Sequence, residues 1–217
     1  MKKLKIKICI LGMVRTNCYI IRGVDSKEAI VIDPADDAAT IDQYLKDNAL
    51  LCKGILLTHG HFDHILAATE LADLNHVSIY AQEDEVEVLG DPHINCSADI
   101  RRECALIPDI LLKDQEILTL AGLRIQVIHT PGHTKGGASY YFPDHAVLFS
   151  GDTLFREAVG RTDLPTGNSS KLLEAIRNKL MLLDDDVQVY PGHGAPTTIG
   201  YEQENNIYLT KEGALLL

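Results

Sequence analysis

The stretch Gly54-Ile55-Leu56-Leu57-Thr58-His59-Gly60-His61-Phe62-Asp63-His64 sets the reading of the whole chain. Its opening Gly54-Ile55-Leu56-Leu57 has the pattern of a short buried strand, and four side chains able to bind a divalent cation follow within six positions. Imidazoles and carboxylates crowded at a strand end are costly to bury unless each finds a partner, and a cation partners all of them at once. In an extended chain His59 and His61 project to the same side, whereas Asp63 and His64 lie past Phe62 at the start of an expected helix. The turn thus presents two ligand pairs in two directions, a geometry suited to two cations about 3.5 to 4 Å apart. A structural zinc site is closed and usually rich in cysteine, and this run contains none, so it points to an open centre lined by nitrogen and oxygen.

Three further segments repeat the arrangement of a buried strand, a glycine and a potential ligand. Leu123 to Ile128 leads into His129-Thr130-Pro131-Gly132-His133-Thr134, Val147 to Phe149 into Ser150-Gly151-Asp152-Thr153, and Val187 to Tyr190 into Pro191-Gly192-His193-Gly194. A rigid strand fixes where each side chain sits, and the glycine lets the backbone turn close to the site. His133, Asp152 and His193 join the first four, giving seven candidates at strand ends.

The remainder of the chain has an ordinary globular composition. Its 217 residues are 46% hydrophobic and 24% charged, enough for one large domain, and the absence of linkers or low-complexity tracts gives a single domain over 1–217. A formal net charge of -11 without any Lys/Arg run argues against nucleic acid as a partner and favours a small molecule. Five scattered cysteines without a C-x-x-C pair fit reduced thiols in the cytoplasm. Although Lys2 and Lys3 open the chain, Leu4, Ile6, Ile8 and Ile10 alternate with Lys5 and Lys7 as in a half-buried strand, not a signal peptide, and no later run has transmembrane length.

Strands over 18–21, 29–32 and 54–58 alternate with helices over 40–50 and 65–74, an α/β rhythm. Hairpins are expected at 117–128 and 138–149, a helix capped by Ser169 or Ser170 and ending near Leu183, a final strand over 187–190 and a short helix over 202–209. Residues 83–114 break the rhythm; they are either a cover over the site mouth or a plain surface connection.

The H-x-H-x-D-H run with its downstream His133, Asp152 and His193 resembles the metallo-β-lactamase superfamily. The segments Thr130-Pro131-Gly132-His133-Thr134, Gly151-Asp152-Thr153-Leu154-Phe155 and Pro191-Gly192-His193-Gly194 are most similar to its glyoxalase II branch, the hydroxyacylglutathione hydrolases, in their compact bacterial form. This resemblance, which spans about residues 10 to 209, implies an α/β four-layer αβ/βα sandwich with two divalent metal ions at one edge, zinc foremost and iron or manganese as alternatives. It implies that His59, His61 and His133 hold one metal, that Asp63, His64 and His193 hold the other, and that Asp152 bridges them. Asp33, in Val31-Ile32-Asp33-Pro34, resembles the family's acidic residue behind the cluster. His76, His93, His129 and His145 match no ligand position. The longer glyoxalase II enzymes continue into a helical region that grips glutathione, whereas this sequence ends at Leu217. At Gly160-Arg161-Thr162-Asp163 the family's tyrosine contact is replaced by Asp163, leaving Arg161, and less directly Lys135, as candidates to meet a substrate carboxylate.

The expected activity is hydrolysis of a thioester such as S-lactoylglutathione by a hydroxide bridging the two metals, with Asp63 placed to accept or orient the proton and Asp152 as the bridge. A thiol of pKa about 8.5 leaves without an added general acid, unlike an amide nitrogen. No G-x-S-x-G elbow offers a serine alternative. The sulfur dioxygenases of the same superfamily, with one iron on two histidines and an aspartate, are the competing expectation. True β-lactamases usually lack the bridging aspartate, so Asp152 speaks against that activity. Oligomeric state is left open.

Overall fold

Period-two alternation of apolar residues on both faces of consecutive strands requires each sheet to be covered twice, and the chain meets this with two sheets back to back and helices outside. The computed structural model describes residues 3–209; Met1, Lys2 and residues 210–217, the two ends of the expected domain, lie outside the described residues. The first sheet runs in the order β1 (Leu4–Leu11), β2 (Thr16–Gly23), β3 (Glu28–Ile32), β4 (Leu51–Leu56), β5 (Ile79–Gln82) and β6 (Ile110–Leu112). The second joins β7 (Ile117–Leu120), β8 (Leu123–His129), β9 (Ala138–Phe142) and β10 (Val147–Gly151) to β13 (Gln188–Pro191) and β14 (Thr197–Thr198). A small ribbon of β11 (Leu154–Phe155) and β12 (Ala158–Val159) lies between β10 and β13 in sequence.

The alternation can be followed residue by residue. Tyr19, Ile21, Ile30, Ile32 and Leu56 of the first sheet meet Ile125, Val127, Tyr140, Phe142 and Phe149 of the second in the central core. Their neighbours Cys18, Ile20, Val31 and Ile55 face outward onto α1 (Ala38–Asp47) and α3 (Ala68–Asn75), through Ile41, Leu45 and Leu71. On the far side Ile128, Leu148 and Val189 pack on Leu172 and Ile176 of α5 (Ser169–Asn178) and on Ile199 of α6 (Ile199–Asn205). The four layers form the αβ/βα sandwich that the resemblance implied.

Parallel pairing places the site. β3 pairs with β4 and β10 with β13 in parallel, so each pair ends at the same edge of its sheet, and the segments after those ends carry Asp33, the His59 to His64 run, Asp152 and His193. Gly192 N–H donates to Gly151 O at 2.8 Å, and Asn17 N–H donates across to Gly192 O at 2.7 Å, which stitches the two sheets together at this edge.

Several boundaries differ from expectation for local reasons. The helix expected over 65–74 is split into α2 (Phe62–Ile65) and α3, because Ala67 N–H turns away to Pro34 O at 3.0 Å. Asn168, not Ser169 or Ser170, caps α5 by accepting from Lys171 N–H at 2.9 Å, and the helix stops at Asn178. The helix expected over 202–209 begins at Ile199, with Thr198 Oγ1 accepting from Tyr201 N–H, and ends at Asn205. Residues 83–114 contain a turn of 3-10 helix (Glu83–Glu85), α4 (Val86–Gly90) and β6, and they lie under the ligand run: Phe62 N–H donates to Asn95 O at 2.9 Å. No helix among the described residues is long and apolar enough to cross a membrane.

Phe149 is fully buried, edge-on to Tyr19 and Phe142 and stacked on Tyr190. Phe149→Ala is expected to destabilise by about 3 to 5 kcal/mol in urea unfolding, whereas Leu182→Ala, at a residue 76% exposed, stays within about 0.5 kcal/mol.

Candidate metal centre

The seven side chains expected at strand ends meet at one edge of the sandwich. Three overlapping groups have donor atoms within 4.8 Å of one another: His59, His61 and His133; His59, His64 and Asp152; and Asp63, His64 and His193. His61 Nδ1 lies 2.8 Å from His133 Nε2. Asp152 sits between the outer groups, with Oδ1 3.4 Å from His64 Nε2 and Oδ2 3.7 Å from His133 Nε2 and 3.5 Å from His193 Nε2. His193 Nε2 is also 3.2 Å from Asp63 Oδ2.

Hydrogen bonds on the far side of the His59, His64 and His133 rings decide which nitrogen faces the centre. Asp33 is buried and accepts from Thr58 N–H at 2.8 Å and from the Thr58 hydroxyl at 2.6 Å. Its Oδ2 is also 2.9 Å from His64 Nδ1, so that nitrogen carries the proton and Nε2 turns inward. The Thr58 hydroxyl, having given its proton to Asp33, accepts from His59 Nδ1 at 3.1 Å and orients that ring in the same way. His133 Nδ1 donates to the Arg161 carbonyl at 2.7 Å. Thr16 donates to Asp63 Oδ2 at 2.9 Å.

The backbone is equally committed. A Cβ at Gly192 would lie 2.1 Å from Asp152 Oδ1 and 2.7 Å from His64 Cε1. Gly151, at a φ of +52°, would bring a Cβ within 2.4 Å of Thr58 Oγ1. Only glycine permits these approaches.

Electrostatics divides the cluster in two. Burial holds the His59, His61 and His133 imidazoles below their ordinary range, His61 at about 3, so these rings are neutral with lone pairs to offer. Burial also opposes charge on His64 and His193, but carboxylates outweigh it. Asp63, Asp152 and Asp33 raise His64, and hydrogen bonds to Asp152 and Asp63 push His193 up to about 9. Burial tends to raise Asp63 and Asp152, yet His64 and His193 keep both ionised, Asp63 at about 2.

The donor set fits divalent cations. His59 Nε2, His64 Nε2 and Asp152 Oδ1 are buried without a hydrogen-bond partner, as is His61 Nε2. Such atoms cost about 1 to 3 kcal/mol each if unsatisfied. The first three belong to one group within 4.8 Å, where a cation satisfies them together. Imidazole with carboxylate suits Zn, Fe and Mn alike.

The other expected residues stand apart. Arg161 places its carbonyl on His133, but its exposed guanidinium forks onto Asp163 at 2.7 and 2.8 Å. Lys135 pairs with Glu87. Either cation must leave a carboxylate before it can meet a substrate anion. Thr58, Thr16 and the Arg161 carbonyl were not singled out by sequence; only the position of Thr58 beside His59 offered a signal.

A sandwich with two His/Asp groups at its edge defines a class of metal-dependent hydrolases, and comparison with known proteins agrees. The model of the metallo-beta-lactamase superfamily matches residues 11–193, and the chain belongs to that superfamily. A hydroxyacylglutathione hydrolase of Haemophilus influenzae is 35% identical over 212 residues, covering 96% of this chain and 100% of its own. The crystal structure of the BLEG-1 B3 metallo-beta-lactamase superposes with a TM-score of 0.90 at 41% identity, over 95% of this chain and 100% of that one. A protein crystallised in a di-iron-bound form, TTHA1623, gives 0.81 at 30% identity, over 92% and 98%.

Replacing Asp33 by Asn keeps the shape but places an amide against donors that need acceptors. Asp33→Asn is expected to fold and to lose about 10- to 100-fold in metal affinity, measured by competition with a chromophoric chelator.

Proposed function

We propose that the protein is a dinuclear metal-dependent thioester hydrolase of glyoxalase II type, acting in the cytoplasm on a small-molecule thioester such as S-lactoylglutathione. The ligand assignment is the one the resemblance implies, His59, His61 and His133 for one cation and Asp63, His64 and His193 for the other, zinc being the first choice, and two of the three donor groups support it. The observation that carries the reading is the position of Asp152, within 3.4 to 3.7 Å of His64, His133 and His193, members of both groups. Its Oδ1 lies beside His64 and its Oδ2 between His133 and His193, so the one carboxylate stands next to both groups.

When bound, divalent ions would supply Lewis acidity, lowering the pKa of a bound water toward neutrality and polarising the substrate carbonyl. The chain's own part is to hold that chemistry in register. In this reading Asp63, ionised and hydrogen-bonded by Thr16, accepts or orients the proton. Asp33 keeps His64 and, through Thr58, His59 from rotating. A thiolate departs unaided, so the lack of a further general acid favours a thioester over an amide. The hydroxyacylglutathione hydrolase relative supports the same choice, and the net charge of -11 disfavours nucleic acid.

The test is an assay of protein of measured metal content against S-lactoylglutathione, other thioesters and a β-lactam, with oxygen uptake followed on glutathione persulfide. Two metals with thioester turnover are expected, and Asp152→Ala should lose roughly 100-fold or more in rate together with one or both metals. Full activity of that variant overturns the bridged mechanism. A single iron with oxygen consumption identifies a sulfur dioxygenase instead, and turnover confined to the β-lactam identifies a β-lactamase.

A further inference from the structure

Among the buried carboxylates outside the seven candidates and Asp33, which include Asp42 and Glu202, one is held by the ligand loops themselves. Glu85 closes the 3-10 turn Glu83–Glu85 just before α4, in the segment 83–114 where the sequence offers no regular pattern, and it is 1% exposed. Burying a carboxylate is costly unless donors surround it. The donors here come from two separate loops. Oε1 accepts from Gly60 N–H at 2.7 Å; Oε2 accepts from the Thr134 hydroxyl at 3.0 Å and from Gly136 N–H at 2.8 Å.

Those loops are the ones that carry the three-histidine group. Gly60 lies between His59 and His61, and Thr134 follows His133. The fit between segment and loops is close: a Cβ at Gly60 would lie 3.0 Å from Val88 Cγ1, and one at Gly136 only 2.2 Å from Glu85 N. Asp63, His64 and His193 are held by other partners, Thr16 and Asp33 among them.

We propose that Glu85 is a positioning residue for the three-histidine site alone, its carboxylate clasping the Gly60 and Thr134–Gly136 loops so that His61 and His133 keep their separation. The inference rests on the metal-centre part of the proposed function and is independent of which substrate is hydrolysed. An amide cannot replace this carboxylate. In whichever way Gln is turned, its NH2 group faces either Gly60 N–H or Gly136 N–H, donor against donor.

The experiment titrates the metal-free full chain with Zn(II) against a chromophoric chelator and with Co(II) followed by its visible absorption, for wild type, Glu85→Gln, Thr134→Val and Thr134→Ser. Wild type is expected to take up two equivalents. Glu85→Gln should bind one as wild type does and the other about 10- to 100-fold more weakly, with a changed Co(II) spectrum for that equivalent and an unchanged far-UV circular dichroism. Thr134→Val, which removes one donor, should weaken the same equivalent less, and Thr134→Ser, which keeps the hydroxyl, should restore it. Should Glu85→Gln fail to fold, the Thr134 pair carries the test. Wild-type affinity at both equivalents in Glu85→Gln, equal weakening at both, or no difference between Thr134→Val and Thr134→Ser overturns the role. A wild-type chain that takes up no metal instead removes the metal-centre reading beneath it, an outcome distinct from those three.

Discussion

The structure turns on the three bonds accepted by Asp33. This carboxylate stands one residue past the end of β3, in the left-handed region at a φ of +49°, a conformation aspartate tolerates better than most residues. From there its side chain reaches over the end of the neighbouring parallel strand to Thr58 and His64. Two ligand rings are thereby oriented by one group, one directly and one through the Thr58 hydroxyl. The cost of the unusual backbone, of order 1 kcal/mol or more, is offset by the contacts that enforce it.

The same logic extends to the rest of the edge. Parallel pairing brings strand ends side by side, but a strand end alone leaves rings free to rotate and carbonyls without partners. Each loop is therefore fixed a second time by a group from elsewhere in the chain: Asp33 for the Thr58 to His64 run, the Arg161 carbonyl for His133, Thr16 for Asp63. Asn17 and Tyr19 of β2 reach Pro191 O at 3.0 and 2.5 Å, tying the His193 loop to the opposite sheet. The inward-facing nitrogens are thus arranged before any cation arrives, which reduces the entropy that binding has to overcome.

What the sequence disclosed, and what it did not, follows from the range of the interactions concerned. Strands such as Ala29 to Ile32 and Ala138 to Phe142 were legible because side-chain alternation is a local property. The gathering of His59, His61, Asp63 and His64 was legible because metal ligands cluster in sequence when they cluster at a turn. The break at Ala67 was not, since it depends on Pro34, which lies 33 positions earlier, and the cap at Asn168 was overlooked beside two serines that are also good caps. Glu85 gave no signal at all: among Glu83, Asp84, Glu85 and Glu87 it reads as one more surface acid, and only the fold shows that it alone is buried. Arg161 is a case where the backbone carries what the side chain drew attention from. Its charge suggested a substrate contact, while neither the pairing of its guanidinium with Asp163 nor the contact of its carbonyl with His133, which any residue could supply, had a sign in the sequence.

The asymmetry of the centre follows from how these supports are distributed. The three-histidine group is neutral, buried and backed by the segment that contains Glu85, whereas the other group pairs the Asp63 carboxylate with two imidazoles, His64 and His193, whose protonation it favours, and includes the most exposed of the candidate ligands, His193, with its side chain 28% exposed. A hard divalent cation gains more from the carboxylate side, and a borderline one gains comparatively more from the imidazole side. Asp152, placed between them, couples the two choices, because an oxygen committed to one side changes the charge left for the other. For the proposed pair of cations, selection would be a property of both groups together, set by the buried acids Asp33 and Glu85 behind them as well as by the seven side chains that face inward.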